Sequence, residues 1–327
     1  MTTIRFAPLI AALALVFVLA ACGSAPPQLP IDDTPPPIDD TPPPPIDDTP
    51  PPIDDDPGTG AAITKIGLID LAASDTGFGL PQILGSGVFF GTNVAIPVDE
   101  LQSPYADMVG MCEVSGPPSD PGDVDIPSLP GDISIAFLDG GDALTVNRDG
   151  MPFATLERET ATFDGDTIIV YAIVEDLEGA LPEGLTATVP GGDQFPAFTN
   201  EAFPSVGTFA LTAPASGATI DADTVFAWEP SGTSHAFVTI MVVGSDLATF
   251  VTCVASDADG SLAFSPAVKA ELGVEFAGSL QLVERAAVRV TTHASEGAAL
   301  ILMARSSTMS PFLGFPEDPG FELPDLP

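Results

Sequence analysis

Short runs of β-branched and apolar residues, separated by turn sequences, recur through the last two thirds of this chain. The turns are marked by Asp-Gly and Gly-Gly pairs, as in Asp139–Asp142 and Pro190–Asp193. No helical pattern of ten to fifteen residues alternates with these runs, so an α/β fold is disfavoured. The pattern predicts an all-β fold, built as one or more antiparallel β-sandwich modules. The clearest predicted strands are Ile133–Leu138, Thr167–Val174, Phe237–Val243 and Ala287–Thr292.

Two short helices are expected between the strands. Ser265 can cap a helix over Pro266–Leu272, where good helix formers follow an N-terminal proline. A second helix is predicted near Val98–Met108. Neither is long enough to change the fold class.

A proline-rich tract precedes the predicted strands. Between Pro26 and Pro57, 14 of 32 residues are proline, and an Ile-Asp-Asp unit recurs four times. Proline removes backbone donors and fixes φ, so a polyproline II stalk without helix or sheet is expected. At about 3.1 Å per residue it would extend roughly 100 Å. A ligand for a proline-reading domain and a loose calcium-binding tract are the alternatives.

The N-terminus resembles the export signal of bacterial lipoproteins. Arg5 precedes an apolar run from Phe6 to Ala20, and the chain then reads Leu19-Ala20-Ala21-Cys22, which is similar to their lipobox. The resemblance implies a signal peptide over 1–21, acylation of Cys22, and a lipid-anchored linker over 22–60. Gly23 favours the outer membrane or the cell surface. The alternatives are a transmembrane anchor and an ordinary secretory leader with an incidental cysteine.

The net charge restricts the partners. The chain has 46 acidic and 8 basic residues, which gives a formal net charge of -38. Such a chain repels nucleic acid and anionic lipid head groups. The predicted partners are therefore the membrane, through the lipid anchor alone, and an unknown envelope protein or extracellular ligand.

The C-terminal half resembles immunoglobulin-like and fibronectin type III-like domains. The resemblance rests on apolar segments at Thr208–Pro214, Gly217–Ile220 and Thr224–Trp228, followed by the strand from Phe237. It implies that Trp228 packs between two sheets. We therefore predict a β-rich module over 61–204 and an immunoglobulin-like module over 205–327. A single sandwich fused across both halves is the alternative.

Two cysteines remain once Cys22 is acylated. Cys112 and Cys253 are an even pair in an oxidising compartment, which predicts a disulfide that closes a loop of about 140 residues. Two buried free thiols and a catalytic thiol are the alternatives. A bridge between them would connect the two predicted modules.

Other candidate sites are sparse. Asp257 and Asp259, and separately Asp120–Asp125, resemble fragments of calcium loops, although Val268 stands where an EF-hand has glutamate. Ser234 and His235 are adjacent on a predicted extended segment, so they point to opposite sides and cannot act as nucleophile and base together. His293 has no neighbouring ligand pattern for zinc. No catalytic residue and no confident metal ligand is predicted.

These features predict a non-enzymatic lipoprotein of the cell envelope. The stalk would hold the β-sandwich body away from the membrane, in a structural or binding role, with no cofactor other than weakly bound calcium. A secreted-type hydrolase or a calcium-dependent carbohydrate-binding protein is the alternative, because 46 acidic residues supply carboxylates without singling out a pair.

Overall fold

The structure, a computed structural model of the chain, describes residues 62–75, 81–102, 108–116, 134–163, 166–245 and 249–309. The predicted signal peptide (1–21), Cys22 and the linker over 22–60 lie outside the described residues, as does the loop Asp120–Asp125. Within the described ranges the chain is mostly β-strand. The predicted all-β, antiparallel sandwich class is confirmed.

Ten strands lie in the described residues up to position 204. In chain order they are β1 (Ile63–Asp75), β2 (Gln82–Ile96), β3 (Met111–Ser115), β4 (Ile135–Phe137), β5 (Ala143–Arg148), β6 (Met151–Phe163), β7 (Asp166–Ile173), β8 (Leu177–Glu178), β9 (Leu185–Val189) and β10 (Phe198–Ala202).

Seven strands follow in the remaining described chain. They are β11 (Leu211–Ala213), β12 (Val225–Trp228), β13 (Ala236–Gly244), β14 (Phe250–Ser256), β15 (Ser261–Ala263), β16 (Gly278–His293) and β17 (Ala298–Met309). All four runs singled out in the sequence lie at these strands.

The strands form two sheets. The large sheet has the order β10-β9-β5-β6-β7-β2-β1-β17-β16-β13-β14-β3, with β4 and β8 also paired to β2, and the small sheet has the order β11-β12-β15. One neighbouring pair, β1 with β17, is parallel. Parallel neighbours need a long connection, and here almost the whole described chain separates the two strands.

The large sheet crosses the predicted boundary at residue 204. β1 lies between β2 and β17, and β3 pairs with β14, so strands from both predicted modules are hydrogen-bonded neighbours. The division into two modules, 61–204 and 205–327, stays a prediction. This strand pairing favours the alternative, a single sandwich fused across both halves.

The central strands are buried on both faces. Successive residues of a strand point to opposite sides, and in β1 Ile66 and Leu68 lie on one side, here called face A, while Ile69 and Leu71 lie on the other, face B. This explains why β1 and β17 read as nearly continuous apolar runs rather than alternating ones.

Different elements cover the two faces. On face B, strands β1, β2 and β17 pack against strands β5, β6, β7 and β9 of the same sheet, which curls over them. Strands β13, β14 and β16 pack against the small sheet. Trp228 is buried between the small sheet and the large one. On face A, the core includes Leu101 from the short helix α1 (Val98–Gln102).

The second helix, α2 (Pro266–Leu272), has the predicted bounds. Ser265 caps it, since its hydroxyl accepts a hydrogen bond from the Val268 amide at 3.3 Å. Helix α1 begins at the predicted Val98 and is described as far as Gln102, and residues 103–107 of the predicted range lie outside the described residues. No helix in the described ranges is long and apolar enough to cross a membrane.

Candidate functional site

An open depression with a volume of about 740 Å³ lies between two glycine-rich loops. The first loop, Asp139–Asp142, connects β4 to β5, and the second, Pro190–Gln194, connects β9 to β10. Each loop contains a Gly-Gly-Asp sequence. Asp139, Asp142 and Asp193 are among the residues that line the depression.

Close backbone contact between the loops requires glycine. The Gly191 amide donates a hydrogen bond to the Gly140 carbonyl at 3.1 Å. Gly141 and Gly191 both have positive φ, at 116° and 77°. A Cβ at Gly141 would lie 2.5 Å from Pro190 Cγ, and one at Gly191 would lie 2.6 Å from the Ala197 amide nitrogen. A side chain at Gly141 would therefore push the first loop away from Pro190 of the second, and one at Gly191 would distort the second loop's own backbone.

Tyr171 fixes the position of the first loop by packing and by hydrogen bonds. Its ring is fully buried and packs edge-on against Phe89. Its hydroxyl accepts a hydrogen bond from the Gly140 amide at 3.0 Å and lies 2.8 Å from the Gly141 carbonyl and 3.0 Å from Asp139 Oδ1. Burial, and then the neighbouring Asp139 carboxylate, raise the pKa of Tyr171 to about 12. The phenol is therefore neutral and anchors the loop.

Asp139 is held in its ionised form. Burial acts to raise its pKa, but hydrogen bonds from the Gly141 amide, the Tyr171 hydroxyl and Arg158 outweigh burial and lower the pKa. Arg158 Nη2 lies 3.1 Å from Asp139 Oδ2. Asp139 is consequently a poor proton donor, and its oxygens are already used to order the loop.

The depression can therefore attract positive charge or accept hydrogen bonds from hydroxyl groups. Asp142 and Asp193 are exposed at its rim. Within the described ranges, no group of three or more His, Cys, Asp or Glu side chains is arranged to hold a metal ion. The geometry of the depression suits the binding of a polar ligand better than the general acid step of a glycoside hydrolase.

Asp257, a calcium candidate from the sequence, has a different role. Its side chain is buried, and its Oδ1 accepts a hydrogen bond from Arg285 Nε at 2.8 Å. Its Oδ2 accepts from the amide and the hydroxyl of Ser231, at 2.6 and 2.7 Å. Both oxygens of Asp257 therefore have hydrogen-bond partners within the chain, and calcium binding by Asp257 and Asp259 stays a prediction. Asp259 is exposed two residues away.

Arg285 was missed by the sequence analysis. Besides Asp257, it donates to the carbonyls of Glu229 and Val206, and its guanidinium lies 4.5 Å from the centre of the Phe209 ring. The sequence did contain a signal for the burial of Arg285. In β16 it alternates with Val283 and Ala287, and all three side chains point to the same buried face. An arginine in a row of buried residues requires a buried anion.

A second ionic cluster lies on face A. Arg305 pairs with both oxygens of Asp70 and, at 3.3 Å, with Glu284 Oε2. These residues come from β17, β1 and β16, so the cluster connects three strands. Burial raises the pKa of Glu284, Arg305 opposes this rise, and Asp70 adds to it.

The structure brings Cys112 and Cys253 together. They are directly opposite in the register of β3 and β14, with their Cα atoms 4.0 Å apart, and a disulfide joins them. Cys253 is fully buried in the core below the small sheet. The two sulfur atoms therefore form a covalent link between β3 and β14 and are not free thiol nucleophiles.

The two histidines lie apart from this depression. His235 and Ser234 are exposed in the turn before β13, and His235 has a positive φ of 55°. His293 ends β16, and its ring packs against Phe198 at 4.4 Å between centroids. His235 is thus an exposed turn residue, whereas His293 packs against an aromatic ring.

Comparisons with protein families, with curated proteins and with solved structures gave no match to this chain.

Proposed function

We propose that the protein is a lipid-anchored protein of the bacterial cell envelope that displays a β-sandwich body on a polyproline stalk, in a structural or binding role and without enzymatic activity. The observation that carries the proposal is the order of segments: an apolar leader ends at Leu19-Ala20-Ala21-Cys22, and a proline- and aspartate-rich tract follows at once. Acyl chains on Cys22 would supply lasting attachment, since one chain alone binds a membrane only marginally.

Two properties of the body support this location. A disulfide joins Cys112 to Cys253, and disulfides persist in oxidising compartments such as the periplasm and the cell surface. The body also carries a large excess of negative charge, with Lys65 and Lys269 as its two lysines. Such a surface stays away from anionic membrane head groups, which suits a body held at the end of a stalk.

The anchor is tested by replacing Cys22 with serine in the full chain. Cells labelled with a palmitate analogue should incorporate it into the parent protein and not into Cys22→Ser, which should also leave the membrane fraction. Protease treatment of intact cells then tests display, because a surface body is digested. Labelling that is equal in both proteins would contradict the proposal.

Within this proposal, the depression between the two Gly-Gly-Asp loops is the ligand-binding end of the body. Its exposed carboxylates, Asp142 and Asp193, select for a cationic or hydroxyl-rich ligand. A calcium-dependent carbohydrate-binding role is the second candidate at this depression. Calorimetry of the body under calcium titration tests it, with magnesium and a chelator as controls. An equal melting temperature in both ions would reject calcium dependence.

The hydrolase alternative is tested by the pair Asp142→Asn and Asp193→Asn. Hydrolysis of glycoside substrates by the parent protein, lost in these two variants, would support it. The ionised, hydrogen-bonded Asp139 provides no general acid at the depression, so we expect no hydrolysis.

A further inference from the structure

The positive charges of the body are few, and most of them are already paired. Every basic residue except Arg5 lies in the described ranges. The pairs of Arg285 and Arg305 have side-chain exposures of 17% or less, so these two cations face the interior. Five basic residues in all have a carboxylate oxygen close to a side-chain nitrogen: Arg148 with Asp149, Arg158 with Asp139, Lys269 with Asp223, Arg285 with Asp257, and Arg305 with Asp70 and Glu284.

The negative charges, by contrast, are mostly at the surface. The chain has 46 acidic residues against 8 basic ones. Among the residues whose burial the structure describes, Asp70 and Asp257 are the buried acids, and both belong to the ion pairs above. Most of the other described acidic side chains are exposed. The folded surface is therefore strongly negative and is not balanced by cations of the chain itself.

One turn shows how closely these charges are placed. Glu175, Asp176 and Glu178, here called the Glu175 cluster, lie at the turn from β7 to β8 and are all exposed. Glu178 is opposite Gln82 of β2, so the neighbouring strand brings an uncharged side chain. No lysine or arginine in the described part of the chain forms an ion pair with the cluster. Its three carboxylates therefore repel one another without a compensating cation.

Folding brings such charges closer together. In the unfolded chain they are spread over a larger volume, so self-repulsion acts mainly against the compact state. Dissolved cations reduce this repulsion, because the screening length falls from about 30 Å at roughly 0.01 M ionic strength to about 3 Å at roughly 1 M. The buried ion pairs are screened much less and keep their attraction. Added salt should therefore stabilise this fold.

We infer that the stability of this fold depends on the ionic strength, with mobile cations supplying the positive charge that its surface lacks. The β-sandwich is most stable in a cation-rich medium and loosens when the medium is diluted. The cations form a diffuse layer around the whole body. They need neither the depression between the Gly-Gly-Asp loops nor the lipid anchor.

Urea unfolding of the full-length protein at increasing salt concentration tests this dependence. Urea is uncharged, whereas guanidinium would itself screen the charges. Between about 0.01 M and about 1 M sodium chloride, we expect the urea midpoint to rise and the unfolding equilibrium constant at a fixed urea concentration to fall several-fold. Potassium chloride, and magnesium chloride at the same ionic strength, should stabilise the protein as well.

Two variants changed at the same three positions separate the effect of charge from that of side-chain shape. Glu175→Gln/Asp176→Asn/Glu178→Gln removes the charges of the Glu175 cluster, and Glu175→Asp/Asp176→Glu/Glu178→Asp retains them. In dilute salt, the neutral variant should have the higher urea midpoint, because its turn has lost the repulsion. In concentrated salt, the midpoints of the two variants should converge.

Three results would overturn the inference. The first is a urea midpoint of the parent protein that stays constant or falls as sodium chloride is added. The second is an equal midpoint for the two variants in dilute salt, because the stabilisation would then come from the general effect of salt on apolar burial. The third is stabilisation by magnesium but not by sodium at matched ionic strength, which would identify a specific metal site in place of screening.

Discussion

Arg285 is held by groups from three separate segments of the chain. Its guanidinium contacts the Asp257 carboxylate, two backbone carbonyls and the Phe209 ring, and it is only 4% exposed. A buried charge of this kind is tolerated because each of its partners is already in place. Arg285 thereby connects the large sheet to the loops around the small sheet.

Replacing Arg285 with methionine should destabilise the protein by about 3–5 kcal/mol, because the buried Asp257 carboxylate would lose its counter-charge. Denaturant unfolding measures the change. Arg289→Met is the matched control, since Arg289 is exposed on the same strand and should change stability little. Equal stability of the two variants would show that Arg285 and Asp257 do not stabilise the fold as a pair.

Tyr171 gives the stability a dependence on alkaline pH. Its folded-state pKa of about 12 lies above the ordinary 10.0, so the neutral phenol stabilises the fold fully below pH 10. This contribution is lost as the pH rises through about 12. We expect the free energy of unfolding to fall over this window in the parent protein, and to fall less in Tyr171→Phe.

The two tyrosines of the chain make this measurable by the ultraviolet absorbance of tyrosinate. Tyr105→Phe leaves Tyr171 as the one tyrosine and should titrate late, near pH 12. A titration near pH 10 in that variant would contradict the assignment. At neutral pH, Tyr171→Phe should cost about 1–3 kcal/mol, because the buried Gly140 amide loses its acceptor.

At the scale of elements, β3 shows how a short strand at the edge of a sheet is held in place. It has five residues and, among the described strands, pairs with β14 alone. Cys112 and Val114 point toward the core beneath the small sheet, and the disulfide to Cys253 fixes the register of the pair. Five residues of pairing at a sheet edge are weak without such a connection.

Replacing both cysteines with alanine, Cys112→Ala/Cys253→Ala, should lower stability by about 4–5 kcal/mol, since the bridge closes a loop of 141 residues. Hydrogen exchange should increase first in β3 and β14, while β9 and β10 at the other end of the sheet change least. A reductant should lower the melting temperature of the parent protein and leave that of the variant unchanged. A variant as stable as the oxidised parent would exclude a stabilising bridge.

At the scale of the whole molecule, one sheet unites both halves of the chain. β1 supplies a partner for β17 on one side and for β2 on the other, so its removal would expose two rows of backbone groups in the centre of the sheet. The disulfide and the ionic cluster of Asp70 with Arg305 also join residues from opposite halves.

Fragments 61–204 and 205–327 should therefore fail to fold when produced separately. Each would lose strand partners and expose buried apolar side chains, so we expect no cooperative unfolding transition by circular dichroism. The fragment 61–327 is the control and should unfold in one transition. Two fragments that each unfold cooperatively would instead support the boundary at residue 204.

Much of the fold class follows from local sequence. The predicted strand runs, such as Thr167–Val174 and Phe237–Val243, correspond to β7 and β13, because alternation and β-branched residues act over a few neighbours. The Ser265 cap sets the start of α2 in the same way. The charge is likewise a property of the sequence alone, and the leader with Cys22 and the proline-rich stalk are predictions that rest on the sequence alone.

The tertiary structure decided which distant segments meet. Periodicity predicts a strand but not its partner, so the parallel pairing of β1 with β17 could not be derived from either strand. The ion pair of Asp257 with Arg285, 28 residues away in the sequence, could likewise not be derived from either residue's neighbours. The depression between the two Gly-Gly-Asp loops likewise exists only because the curled sheet brings them together.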